Sequence, residues 1–239
     1  MALVSEIPIE GESLNKLDFV DSHIHFWDFQ HPDLRYEQYE GDFVHPQLGE
    51  RFMELAQSNY LVDDYIVETR NSNVIKAVHV QAAIGIEDPV KETEWLQQAA
   101  GRTGFPQGII AHASLKDPDV AEVLERHCEY PNMRGVRDFS TGDYLVDPAF
   151  HRGYALLDKF NLIASLDVKW PDMQKERDLA IKFPNTRLVL DHAGFPTERT
   201  VEYFQNWQSG IRILAEAENV VCKISGLGMC DWDWTVDSI

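Results

Sequence analysis

The chain has 239 residues, 44% of them hydrophobic, enough to bury the core of one large domain or two small ones. Its net charge is −19, from 21 basic against 40 acidic residues, and no basic cluster interrupts that balance, which argues against a phosphate-tracking nucleic-acid surface. No stretch approaches the roughly eighteen apolar residues of a membrane span.

Cys128, Cys222 and Cys230 are an odd count without metal-finger spacing and read as reduced thiols of a cytoplasmic protein. The opening Met1-Ala2-Leu3-Val4-Ser5-Glu6 has neither a basic n-region nor an apolar h-region, so no signal peptide is expected.

The first element follows the apolar run Leu17-Asp18-Phe19-Val20 and continues as Asp21-Ser22-His23-Ile24-His25-Phe26-Trp27-Asp28. Val20, Ser22 and Ile24 alternate with Asp21, His23 and His25, the period-2 pattern of a strand. His23 and His25 therefore project from one face, a few ångströms apart, and neutral imidazoles so placed make half of a zinc-type site. The segment from Phe29 to Asn59, rich in Tyr, His, Glu and Pro, reads as a loop over that site.

Six further apolar, β-branched runs follow: Val74–Gln81, Gly108–Ala113, Met133–Arg137, Leu162–Leu166, Arg187–His192 and Val220–Ser225. Helical segments separate them. They run from Glu87 to Ala100, from Asp117-Pro118 to Glu129, from Asp147-Pro148 to Phe160, from Pro171-Asp172 to Phe183 and from Glu198 to Glu218. Such alternation predicts an α/β fold with a parallel sheet covered by helices, in a single domain over residues 1–239 with no linker. Seven strands without a Gly-x-Gly-x-x-Gly or P-loop motif favour a (β/α)8 barrel lacking its last unit over an open doubly wound sheet.

In such a barrel the chemistry sits at the C-terminal ends of the strands. His23 and His25 lie there on the first strand. His192 lies there on the sixth, before Ala193-Gly194-Phe195-Pro196, and becomes the third candidate ligand. His79 and Gln81 share one strand face, as do His112 and Ser114. The two histidines read as core residues, because only one parity can face the mouth, while Gln81 is a candidate substrate contact. Arg134 and Arg137 on the fourth strand suit bidentate recognition of a carboxylate or a polarised carbonyl. A surface ion pair is an equal reading of Arg134, and position 137 is nearer the strand end. Lys223 reads either as pointing inward or as snorkelling to water. The Phe26-Trp27 pair is expected to wall the pocket, and Trp232 and Trp234 to serve in aromatic packing.

Taken in order, Val-Asp-Ser-His-Ile-His-Phe-Trp-Asp, Arg-Gly-Val-Arg, Leu-Asp-His-Ala-Gly-Phe-Pro and Lys-Ile-Ser-Gly resemble the amidohydrolase superfamily. Within it the chain is similar to the branch holding sugar-lactone and pyrone-dicarboxylate lactonases and zinc-dependent decarboxylases. The resemblance implies a TIM barrel of the metal-dependent hydrolase type, with His23, His25 and His192 at one divalent metal, zinc, or working without a metal as some lactonases of this branch do. It departs from the family in two places. The fourth strand carries arginine where other members have a metal-bridging lysine, which implies a single metal or none. The chain also stops at Ser238-Ile239, before the place of the aspartate that ends strand eight, so a C-terminally incomplete barrel is expected.

The leading expectation is a hydrolase opening a lactone of a sugar acid or an aromatic-catabolic acid. His192 would be catalytic, and Arg137, Arg134, Gln81 and Trp27 would contact the substrate. Decarboxylation of an unsaturated acid on the same fold, and an inactive or binding-only barrel, are the alternatives. The partner is a small molecule, neither nucleic acid nor membrane, and exposed first and seventh strand edges suggest a homo-oligomer.

Overall fold

The computed structural model describes residues 17–41, 44–45 and 48–237. Its strands are β1 (Phe19–Ile24), β2 (Val74–Val80), β3 (Gly108–His112), β4 (Met133–Arg137), β5 (Ile163–Leu166), β6 (Leu188–Leu190) and β7 (Val220–Cys222). They form one sheet in chain order, every neighbouring pair parallel. The sheet curls so far that Lys223, one residue past β7, brings its Nζ within 3.2 Å of His23 Nδ1 on β1. This is the seven-unit barrel arrangement the alternation predicts.

Helices α1 (Val62–Thr69), α2 (Val90–Thr103), α3 (Val120–Cys128), α4 (Pro148–Lys159), α5 (Met173–Lys182) and α6 (Val201–Leu214) fill the connections, and α7 (Leu227–Cys230) follows β7. Each of α2 to α6 buries a leucine against the sheet: Leu96, Leu124, Leu157, Leu179 and Leu214. Such a side chain stabilises the fold by about 2 kcal/mol when removed from water. The strands answer with Ile109, Val136, Ala164, Leu166, Leu188 and Leu190, all buried. Helix starts follow local chemistry, since Asp147 accepts the Ala149 N–H at α4 (2.8 Å) and Thr200 Oγ1 accepts the Tyr203 N–H at α6 (3.1 Å).

Several boundaries differ from expectation. β6 ends at Leu190, and residues Asp191–Gly194 form a short 3-10 turn, so His192 sits on a turn. Helix α1 lies in a stretch with no expected element. Its signal was there: Asp64 accepts the Leu61 N–H at 2.8 Å, and Val62 and Tyr65 bury one face. The insert after β1 carries a 3-10 segment, Glu50–Gln57, whose Phe52 stacks on Tyr39 (ring centroids 4.5 Å apart). Trp232 and Trp234 are half exposed rather than packed in a core, and Trp232 lies beneath the Arg51 guanidinium at 4.5 Å.

Gly153 marks where α4 presses closest on its neighbour, because a Cβ there would overlap the Leu115 carbonyl. Helix propensity favours alanine over glycine by about 1 kcal/mol, whereas overpacking against rigid backbone costs about 1–3 kcal/mol. Gly153→Ala is therefore expected to lower the Tm. Thermal unfolding by circular dichroism checks this, and an unchanged or raised midpoint would show that α4 can move off Leu115.

Candidate active site

The site is assembled at the C-terminal ends of the strands around one buried carboxylate. Asp191 follows β6 directly and is fully buried. Its oxygens accept the Ser165 hydroxyl from β5 (2.9 Å to each) and the Lys223 ammonium (2.8 Å). His23 Nδ1 lies at 3.7 Å and Arg137 Nε, from β4, at 3.8 Å. Burial alone would push this carboxyl up. The charges of Lys223 and Arg137 outweigh it and hold Asp191 well below the usual carboxylate range.

At the end of β1, with His25 one residue past the strand, the expected pairing occurs, His23 Nε2 and His25 Nε2 lying 3.1 Å apart. A carbonyl oxygen only accepts, so the 2.8 Å contact to the Val80 carbonyl puts the proton of neutral His25 on Nδ1. Its Nε2 lone pair is thereby turned toward His23. Burial, followed by the neighbouring His23, pushes the His25 imidazole well below its usual value.

His192 completes the cluster, its ring centroid 4.4 Å from that of His23 and its Nδ1 3.0 Å from Ser225 Oγ. Residues 192–195 all have positive φ, including the non-glycines His192 (52°), Ala193 (53°) and Phe195 (51°). Such backbone costs on the order of 1–3 kcal/mol per non-glycine residue and persists where surroundings enforce it. Here the Lys223 carbonyl accepts the Ala193 N–H (2.9 Å), while Trp207 and Tyr203 donate to the Ala193 and Phe195 carbonyls (2.7 and 3.1 Å). Burial, then His23, pushes His192 down to about 3.

Among the described residues, no group of three or more His, Cys, Asp or Glu side chains is placed to hold a metal ion. The expected ligands are present as three packed rings, two of whose nitrogens are engaged by Lys223 and Ser225.

The other expected contacts divide. Arg137 lies in the cluster, but Asp167 holds its Nη2 at 2.5 Å, and its buried Nε has no hydrogen-bond partner. Arg134 lies toward the opposite end of β4, exposed, its guanidinium donating to the Pro131 and Met133 carbonyls (2.7 Å each), so it contributes nothing to the cluster. Trp27 is bridged to Tyr60 and donates its indole N–H to the Ser58 carbonyl (2.8 Å), so it anchors the insert. Phe26 is wholly buried in the main core.

Gln81 does line a cavity of about 280 Å³ with Ile84, Gly85, His112, Ser114, Asp138, Phe139 and Ser140. The turn carrying it is pinned from α2, where buried Glu92 accepts the Ala82 and Ala83 N–H groups (2.9 Å each). A second cavity of about 210 Å³ lies past β4 and β5 and includes Tyr144, Asp167 and Lys175. The two flank Arg137, one through Asp138 and one through Asp167, while His23, His25 and His192 line neither. His79 is a core residue as expected, buried against Phe26 with ring centroids 5.5 Å apart.

Asp191, Ser165 and Lys223 were not read from the sequence as a unit. The available signal was polarity out of place: a serine inside Ile163-Ala164-Ser165-Leu166 and an aspartate closing Leu188-Val189-Leu190.

The class of protein follows from comparison with known chains. Residues 20–239 match the amidohydrolase family, and the chain belongs to it. It is 33% identical over 238 residues to the uncharacterized protein y4mH of Sinorhizobium fredii, covering 95% of this chain and 78% of that one. It is 28% identical over 229 residues to the L-fucono-1,5-lactonase of Burkholderia multivorans, covering 90% of this chain and 70% of the lactonase. A solved amidohydrolase from Burkholderia multivorans with bound zinc superposes with a TM-score of 0.74 at 25% identity, over 93% of this chain and 75% of that one. No helix among the described residues is long and apolar enough to cross a membrane.

Two outcomes test this site. Asp191→Asn removes the charge that two buried cations face and is expected to cost about 3–5 kcal/mol in urea denaturation; a cost under about 1 kcal/mol would mean the network is not desolvated. The second concerns pH. His79 and His192 have folded values near 3 against the ordinary 6.5, so below 6.5 the unfolded chain binds protons that the folded chain refuses. Their contribution to stability is full above that value and lost as pH falls toward 3. Their imidazole NMR signals should stay at neutral-ring positions down to about pH 5, and a titration midpoint near the ordinary histidine value of about 6.5 would contradict this.

Proposed function

We propose that this amidohydrolase opens a small cyclic ester, a lactone, beside the histidine cluster. The observation that carries the proposal is the convergence of His23, His25 and His192 with Arg137 at the C-terminal strand ends, backed by one buried carboxylate. Similarity to L-fucono-1,5-lactonases supports the ester reading and a sugar-acid lactone as substrate. Decarboxylation asks Arg137 to grip a substrate carboxylate. Asp167 already occupies that guanidinium, which favours the ester.

The residues divide the work as follows. The cavities beside Arg137 hold the ring, with Gln81, whose side-chain Oε1 has no partner, accepting a substrate hydroxyl. The Arg137 Nε–H, which has no hydrogen-bond partner although Asp191 lies 3.8 Å from it, donates to the carbonyl oxygen as negative charge develops there. His192 is neutral at working pH. In the tautomer that gives its Nδ1–H to Ser225 it keeps an Nε2 lone pair, which takes the proton of the attacking water and returns it to the ring oxygen as the acyl C–O bond breaks.

The zinc-bound neighbour supports a divalent cation in enzymes of this class. Held here, by His23, His25 and His192, zinc would supply Lewis-acid polarisation and a more acidic water. The donor set as it stands does not fit, since among the described residues no three side chains are placed to hold an ion and Lys223 engages His23 from behind. No step above depends on the metal.

A panel of sugar-acid lactones, followed by acid release in weakly buffered indicator, tests the proposal. Wild type should turn over at least one. Arg137→Met and His192→Ala should each lower kcat/KM by roughly 10²–10³-fold, the loss typical of a missing oxyanion donor or general base. Tight binding of a lactone without turnover would support a binding-only barrel, and turnover unchanged in both variants would remove the proposed centre.

A further inference from the structure

Lys223 Nζ sits among three acceptors: Asp191 Oδ1 at 2.8 Å, Ser165 Oγ at 3.2 Å and His23 Nδ1 at 3.2 Å. An ammonium has three N–H donors and no acceptor. The Ser165 hydroxyl hydrogen already goes to Asp191, so toward the lysine its oxygen accepts. His23 Nδ1 must likewise accept, which puts the proton of the neutral ring on Nε2. That proton points at His25 Nε2, 3.1 Å away, which carries a lone pair because its own Nδ1–H is given to Val80. Each nitrogen of the two rings then has one partner of the correct sense.

The opposite tautomer of His23 fails at both ends. Its Nδ1–H would meet the ammonium, and two bare Nε2 lone pairs would face each other at 3.1 Å. Facing lone pairs are what a bridging cation needs. Metal-binding histidines ordinarily give their other N–H to a carboxylate, which fixes that tautomer. Asp191 is positioned for this, 3.7 Å from Nδ1, but the Lys223 ammonium lies closer to both and takes the contact.

We infer that Lys223 is a positioning residue that locks His23 in its Nε2–H form, making the His23–His25 pair a hydrogen-bond relay and withholding it from divalent metals. The role is independent of which ester the enzyme opens.

Two measurements on the full chain test it. In wild type labelled with ¹⁵N-histidine, long-range correlation spectra, assigned with His23→Gln, should show His23 protonated at Nε2 and bare at Nδ1. His25 should show the reverse. Zinc affinity is then measured by competition with a chromogenic chelator. Lys223→Met frees Asp191 to accept from His23 Nδ1–H and should bind zinc at least tenfold more tightly than wild type. The double variant with Asp191→Asn should lose that gain. His23 protonated at Nδ1 in wild type, a gain under tenfold, or a gain that survives Asp191→Asn would each overturn the inference. If Lys223→Met does not fold, the wild-type spectrum decides.

Discussion

One carboxylate organises this molecule. Asp191 draws Arg137 from β4, Ser165 from β5, Lys223 from the end of β7 and His23 from β1 onto a single buried point. In a flat sheet β1 and β7 would stand six strand spacings apart, roughly 29 Å at about 4.8 Å each. The 3.2 Å contact between Lys223 and His23 therefore exists only because the sheet curls. A buried carboxylate is costly alone and tolerable only with cations and donors around it. Curl and charge pairing thus require one another, and the histidine cluster stands on both.

The site's electrostatics run against the chain's overall balance. A net charge of −19 would suggest an acidic mouth. At the cluster, Asp191 and Asp167 offset Lys223 and Arg137, leaving a near-neutral patch built of fixed dipoles and neutral imidazoles. Preorganised donors in such a dry setting stabilise developing charge more than they would in water, because nothing must reorient when the charge appears. The left-handed backbone at residues 192–195 belongs to the same arrangement. It turns the chain away from β6 as soon as Asp191 is placed and sets the His192 ring beside His23.

Much of the framework was legible in the sequence because it rests on local rules. Apolar β-branched runs located all seven strands, and helical periodicity with starts such as Asp117-Pro118 and Asp147-Pro148 located most helices. Alternation put His23 and His25 on one face. Arg134 and Arg137 illustrate where this legibility ended. The two are three residues apart on one strand, but one lies in the cluster while the other holds carbonyls toward the opposite end. Strand direction had already favoured position 137. The place of Trp27 after the histidines carries no sign of the contacts it makes with Tyr60 and Ser58, which come from the insert folding back on it.

What the sequence by itself determined is the set of chemical groups, the parity that pairs the first two histidines and the order of βα units, since all of these follow from neighbours within a few residues. What only the tertiary structure decided is which atoms meet. Lys223 and His23 are 200 positions apart, and no local pattern says whether that lysine points inward or snorkels. Closure of the curled sheet around Asp191 settles it, because an ammonium at that depth must spend its donors on whatever acceptors lie there, and one of them is an imidazole nitrogen.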